Sequence, residues 1–139
     1  MNAYLLDTNV VSELRKPKPH GSVVHWVQSL QGDQLFISAV TLGELQRGIE
    51  RVRRQDAAKA GEIEKWVDQL EVSVSLLPMD GPCFREWAKL MEKKPEQLFE
   101  DAMIAATARV RGLQVATRNE KDFALLDVAT FNPFRVALD

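Results

Sequence analysis

Cysteine is almost missing from this chain. Cys83 is the only one, which excludes an internal disulfide and suits a reducing compartment. No base is spaced to activate it as a nucleophile. Histidine is nearly as scarce: His20 and His25 are the only two, one in a loop and one on a helical stretch, and neither belongs to an HExxH zinc motif. The glycines form no dinucleotide-binding loop, no lysine-bearing phosphate loop and no GxSxG nucleophile elbow. Long apolar runs are missing too. The first one, Tyr4 to Leu6, stops at Asp7, far short of a signal or membrane-spanning segment, so the expectation is a cytoplasmic protein with no membrane partner. A formal net charge of -2 gives no general basic footprint for nucleic acid, although it leaves local patches open.

What remains is ordinary material for a globular enzyme. At 139 residues, with 45% hydrophobic and 27% charged side chains, the chain fits one domain over residues 1–139 with a real core. No repeat, low-complexity tract or linker divides it. Short apolar runs at "YLL", "QLFISAV", "VSVSLLP" and "LQVAT", with a fifth near "VATF", read as strands. Stretches with helical apolar spacing separate them: "VVHWVQSL", "TLGELQRGIERVRR", "DAAKAGEIEKWVDQLE", "PCFREWAKLM" and "EQLFEDAMIAATARVR", the last ended by Gly112. Strands alternating with helices imply right-handed crossovers and an α/β fold with a mainly parallel sheet of four or five strands covered on both faces. Ligands of such sheets gather beyond the carboxyl ends of the strands. Asp7 stands at one of those ends.

Three more acids invite the same attention. Glu44 lies three residues after Thr41, a spacing that a capping box also explains. Asp101 opens a helical face continued by Ala105 and Ala108, residues small enough to let a helix approach the sheet; a helix-start carboxylate favoured by the dipole is the plainer account, and Glu100 stands beside it. The stretch "ATRNEKDF" puts Asn119 and Asp122 directly after a strand, where a surface turn would also place them. Several carboxylates at one sheet edge repel one another. A hard divalent cation such as Mg²⁺ relieves that repulsion through oxygen ligands, and the same arrangement supports phosphodiester hydrolysis by an activated water.

The segments "LLDTNVVSEL", "FISAVTLGELQRGIERV", "DAMIAATA" and "VATRNEKDF…NPF", in this order and spanning nearly the whole chain, together resemble PIN-domain ribonucleases, in particular the FitB-like branch of VapC-type toxins. The resemblance implies a PIN-like three-layer α/β/α sandwich and cleavage of RNA dependent on Mg²⁺ or Mn²⁺. It also implies a homodimer and inhibition by a cognate antitoxin protein, through which operator DNA is bound. It carries the catalytic and metal-binding acids onto Asp7, Glu44, Asp101 and Asp122, and the supporting polar positions onto Thr8, Asn9, Thr117 and Asn119. Many relatives have an acid where this chain has Asn119, so Asp122 and Asn119 compete for the fourth place. The stretch "MEKKPEQLF" replaces a more glycine-containing loop.

Basic side chains near these motifs are candidates for the RNA backbone: Arg15 and Lys16 after the first acid, Arg47 after the second, Arg118 beside the last. Such contacts position nucleic acid without reading its sequence. Arg51, Arg53 and Arg54 read equally as a solvated helix face. Trp26, Trp66 and Trp87 have the spacing of core or dimer packing. Two other functions share some of this pattern. A receiver-like phosphoacceptor would use Asp80, Thr117 and Lys121, but Asp80 before Gly81-Pro82 reads better as a helix cap. A catalytically idle PIN-like binding module is the other.

Overall fold

Tyr4, Leu5 and Leu6 form strand β1 (Tyr4–Leu6), and all three are buried, as a central parallel strand requires when both faces are covered. The computed structural model describes residues 2–138. In chain order β1 is followed by helices α1 (Thr8–Arg15) and α2 (Gly21–Gln28), strand β2 (Leu35–Ser38), helices α3 (Ala39–Arg53) and α4 (Ala57–Ser73), strand β3 (Ser75–Leu77), helices α5 (Gly81–Met91) and α6 (Phe99–Arg111), strand β4 (Gln114–Ala116), helix α7 (Glu120–Ala124) and strand β5 (Thr130–Phe131). The five strands lie in the order β3-β2-β1-β4-β5, and every neighbouring pair is parallel.

Because side chains alternate along a strand, β1 feeds two cores. Leu5 packs with Ile104, Ala105, Ala108, Val115 and Phe123 on the α6 face. Tyr4 and Leu6 pack with Val10, Val11, Val23, Trp26 and Ile37 on the α1–α2 face. Helices, sheet and helices therefore make three layers, as the sequence pattern and the resemblance implied. A satellite cluster of Ile49, Ala60 and Val67 joins α3 to α4.

Several local expectations need correction. Residues 72 and 73, read as the start of a strand, finish α4, and β3 is only three residues long. α3 starts two residues before Thr41: Ser38 is its cap and accepts from the Val40 N–H at 3.0 Å. Thr41 is therefore inside the helix, and the capping-box account of Glu44 fails. In the helices "VVHWVQSL" and "EIEKWVDQL", Val23, Trp26 and Val67 are buried within the chain. Trp26 stacks on Phe131 at 5.3 Å and meets Tyr4 edge-on at 5.0 Å.

Register sets the active edge. Leu6 pairs with Ile37 on one side and Ala116 on the other, so the residues that follow these strands emerge together. α6 runs back along the sheet and brings its N-terminal turn to the same edge. Ala105 and Ala108 have no exposed surface, and Gly112, at φ 70°, ends the helix in the left-handed conformation that glycine adopts freely. Ala105→Leu would overfill this contact. We expect about 1–3 kcal/mol lower stability in urea melts, with α6 and its first-turn acids displaced; a variant as stable as the parent would show that the helix does not need its close seat.

Candidate active site at the strand ends

Asp7 is the innermost of the acids. Its backbone N–H continues the β1–β4 ladder by donating to the Ala116 carbonyl at 2.9 Å, and its side chain caps α1, Oδ1 accepting from the Thr8 N–H at 2.8 Å. The second oxygen, Oδ2, accepts from the Thr117 hydroxyl at 2.7 Å and from Asn9 Nδ2 at 2.9 Å. Only 5% of the residue is exposed. Burial pushes its carboxyl above the usual range, against the pull of the bonds from Thr117, Thr8 and Asn9.

Each supporting residue sits between two others. Thr8 Oγ1 donates to Glu44 Oε1 at 2.7 Å and lies 3.1 Å from the Thr41 hydroxyl. Thr117 Oγ1, besides holding Asp7, accepts from the Asn119 N–H at 2.8 Å. Asn119 Nδ2 donates to Asp122 Oδ2 at 2.8 Å and reaches Asp101 Oδ2 at 3.5 Å. The polar residues at positions 8, 9, 117 and 119 thus tie the four acids into one network, and "ATRNEKDF" is not a plain surface turn.

The charges feel one another. Burial, then Asp7, Asp122, Glu44 and Glu100, push Asp101 up to about 7. Glu44 is raised chiefly by burial and further by the neighbouring Glu100 and Asp7, with the Thr8 bond opposing. Glu100 is an acid that the sequence offered only as a bystander; it stands at the edge of the cluster and pairs with Arg47 at 3.2 Å. Helical position beside Asp101 was the available signal.

All the donors are oxygens, which suits a hard divalent cation. Among the described residues no three or more His, Cys, Asp or Glu side chains are grouped closely enough to hold an ion by themselves. Mg²⁺ usually keeps several waters and takes only one or two carboxylates directly, so a mutually repelling set of this kind fits it without a closed cage.

Asp80 has a different occupation. Its Oδ1 accepts from the Cys83 N–H at 3.1 Å, capping α5, and its Oδ2 pairs with Arg111 at 2.9 Å. Both oxygens are engaged away from the acidic network, which removes the basis for a phosphoacceptor. His20 caps α2 through Nδ1, which accepts from the Ser22 N–H at 3.2 Å.

A model of the PIN domain matches residues 4–129. The chain belongs to the PIN domain family. This PIN domain is 36% identical over 139 residues to the toxin FitB of Neisseria gonorrhoeae, an alignment covering 94% of this chain and 97% of FitB. It is 34% identical over 143 residues to the VapC ribonuclease Y4jK of Sinorhizobium fredii, covering 96% and 99%. A solved structure of FitAB bound to the IR36 DNA fragment contains a chain that superimposes with a TM-score of 0.82 at 31% identity, covering 97% of this chain and 98% of that one. No described helix is long and apolar enough to cross a membrane.

The raised carboxyls set a sign for pH. An acid raised on folding is protonated more readily in the native state, so its contribution to stability is full at low pH and is lost as pH rises through the folded value. For Asp101 that window runs from about 4 to above 7. Thermal melts in EDTA of the parent and Asp101→Asn should therefore diverge as pH rises from 5 to 8, the variant gaining on the parent. A parent that gains on the variant over that range would mean that Asp101 is stabilised as a carboxylate.

Proposed function

We propose that this PIN domain is an endoribonuclease that hydrolyses RNA phosphodiester bonds and acts as the toxin of a toxin–antitoxin pair. The observation that carries the reading is the oxygen-only network at the strand ends, with Asp101 pushed to about 7 by burial and its acidic neighbours. Phosphoryl chemistry needs concentrated positive charge where this site has only negative, so the acids call for a cation.

Asp7, Glu44 and Asp101 would hold a divalent cation, Mg²⁺ or Mn²⁺, with Asp122 as the fourth acid and Asn119 as the amide that links it to Asp101. Bound there, the ion supplies the charge that neutralises phosphate oxygens and favours ionisation of an attacking water. The chain supplies orientation. Thr117 and Asn9 fix one oxygen of Asp7, the Thr8 amide fixes the other, and the Thr8 hydroxyl fixes Glu44. Hydrogen bonds of this kind behind a metal ligand hold it in one rotamer, and their loss costs roughly 10–100-fold in affinity or activity.

The similarity to the toxin FitB and to a VapC ribonuclease supports the activity, and the FitAB structure on DNA supports a partner protein: a cognate antitoxin that silences the enzyme and through which operator DNA is bound. The chain, residues 1–139, acts as one cytoplasmic domain in this reading. It also forms a two-fold homodimer. Phe84 and Phe99 are exposed, and Trp87 lies between them, 6.1 Å and 5.5 Å from their ring centres. This aromatic patch on α5 and the start of α6 is what a second copy would cover.

Two measurements test the proposal. Purified protein with Mn²⁺ should cut RNA internally, EDTA should stop it, and Thr117→Val should lower the rate roughly 10–100-fold. Cleavage undiminished in EDTA by protein shown to be metal-free would defeat the metal-dependent reading. Separately, light scattering at micromolar concentration should give twice the mass of one chain, and Phe84→Asp should shift it toward one. A monomeric parent would reject the dimer alone.

A further inference from the structure

Glu13 is a buried acid outside the acidic network. It lies in the last two turns of α1, with its side chain only 8% exposed. Its Oε1 accepts from Lys16 Nζ at 2.9 Å and its Oε2 from the His20 N–H at 2.9 Å. The carboxylate thereby closes the basic, proline-containing loop after α1 and holds the Lys16 ammonium against the end of the helix. Arg118 stands near enough for its charge to favour the ionised Glu13.

Phe134 completes the arrangement. Asn132 Oδ1 accepts from the Phe134 N–H at 3.0 Å and sets the chain around the ring. The Arg118 guanidinium lies over that ring, 3.7 Å from its centre, and the His20 imidazole meets it edge-on at 5.4 Å. A guanidinium stacked on an aromatic face keeps its in-plane N–H groups available for phosphate. Arg118 is also tied to the site: its backbone N–H donates to Asn9 Oδ1 at 3.2 Å, and the preceding residue is Thr117, which holds Asp7. Glu13 lies six residues beyond Asp7, about 9 Å along the helix axis. Of the other basic side chains near the acids, Arg47 pairs with Glu100 and Arg53 with Glu50 and Glu64.

From this geometry we infer that Lys16 and Arg118 form a phosphate-binding wall for the RNA backbone beside the bond being cut, and that Glu13 is the positioning residue that holds it. The inference rests on the RNA-cleaving reading and adds a path for the substrate strand. Opposite predictions follow for one substitution. By charge alone, removing the Glu13 carboxylate from beside an RNA strand should tighten binding. If Glu13 positions the wall, its loss should weaken binding.

The test uses fluorescence anisotropy of a short labelled single-stranded RNA with the full chain in EDTA, over a series of NaCl concentrations. Folding of each variant is checked by circular dichroism. Glu13→Gln should bind several-fold more weakly. Arg118→Ala should reduce the slope of log Kd against log salt by about 0.7, the value for one lost phosphate contact on a single strand. Arg118→Lys should largely retain that slope, and Arg111→Ala, whose side chain pairs with Asp80, should leave it unchanged. In cleavage assays with Mn²⁺, Glu13→Gln should raise KM with kcat nearly unchanged. Unchanged or tighter binding by folded Glu13→Gln, or equal slope losses in Arg118→Ala and Arg111→Ala, would overturn the wall. Should Glu13→Gln not fold, the slopes of Lys16→Ala and Arg118→Ala decide in the same way. A parent that neither binds nor cuts RNA would instead defeat the functional reading beneath it.

Discussion

The hydrogen bond from the Thr117 hydroxyl to Asp7 Oδ2, 2.7 Å long and fully buried, joins residues 110 positions apart in sequence. It exists because β1 and β4 are adjacent and parallel, with Leu6 opposite Ala116, so that the next residue of each strand faces the other. A shift of one residue in that register would turn one of the two side chains away. The apolar alternation of β1 between its two cores fixes the register, and through it the position of the deepest acid. The site thus inherits its precision from the packing of Tyr4, Leu5 and Leu6.

What that precision holds together is a group of like charges that would separate if free. Asp101 is partly buried and lies near the carboxylates of Asp7, Asp122, Glu44 and Glu100, and its affinity for a proton rises first through burial and then through these charges. The cost is met by the surrounding hydrogen bonds and by apolar layers on both faces of the sheet, where Ile104 and Phe123 on one side and Val11 and Val23 on the other are wholly buried. A site strained in this way is selective: a proton or a divalent cation relieves it, whereas a neutral ligand does not.

The alternation of strands and helices was legible because each apolar run was short and each helical face had its own spacing. The edge of the sheet was legible because strands ended in acids. Boundaries were harder. "QLFISAV" passes from strand to helix at Ser38, a residue whose hydroxyl caps the following helix, and nothing in the apolar run marks the change. Glu13 could not be recognised as a positioning candidate, since its pairing with Lys16 three residues on reads as an ordinary helix ion pair, and Arg118 comes near only when the residues after β4 meet the loop after α1. Trp26 stood open between core and dimer packing because the sequence does not show which side of a helix the neighbouring layer will cover; it is buried in the core.

Asp7 both braces the fold and belongs to the site. It caps α1 with one oxygen while the other lies among the site hydroxyls. The two roles support each other. A helix N-terminus carries partial positive charge and unpaired N–H groups, so a carboxylate placed there is stabilised before any cation arrives. Asp101, in the first turn of α6, shares that electrostatic setting. Helix starts at the ends of parallel strands are therefore the places on this fold where acids can be crowded together and the chain still folds. Glu44, a turn further along α3, lacks that setting, and the Thr8 hydroxyl reaches across from α1 to hold it.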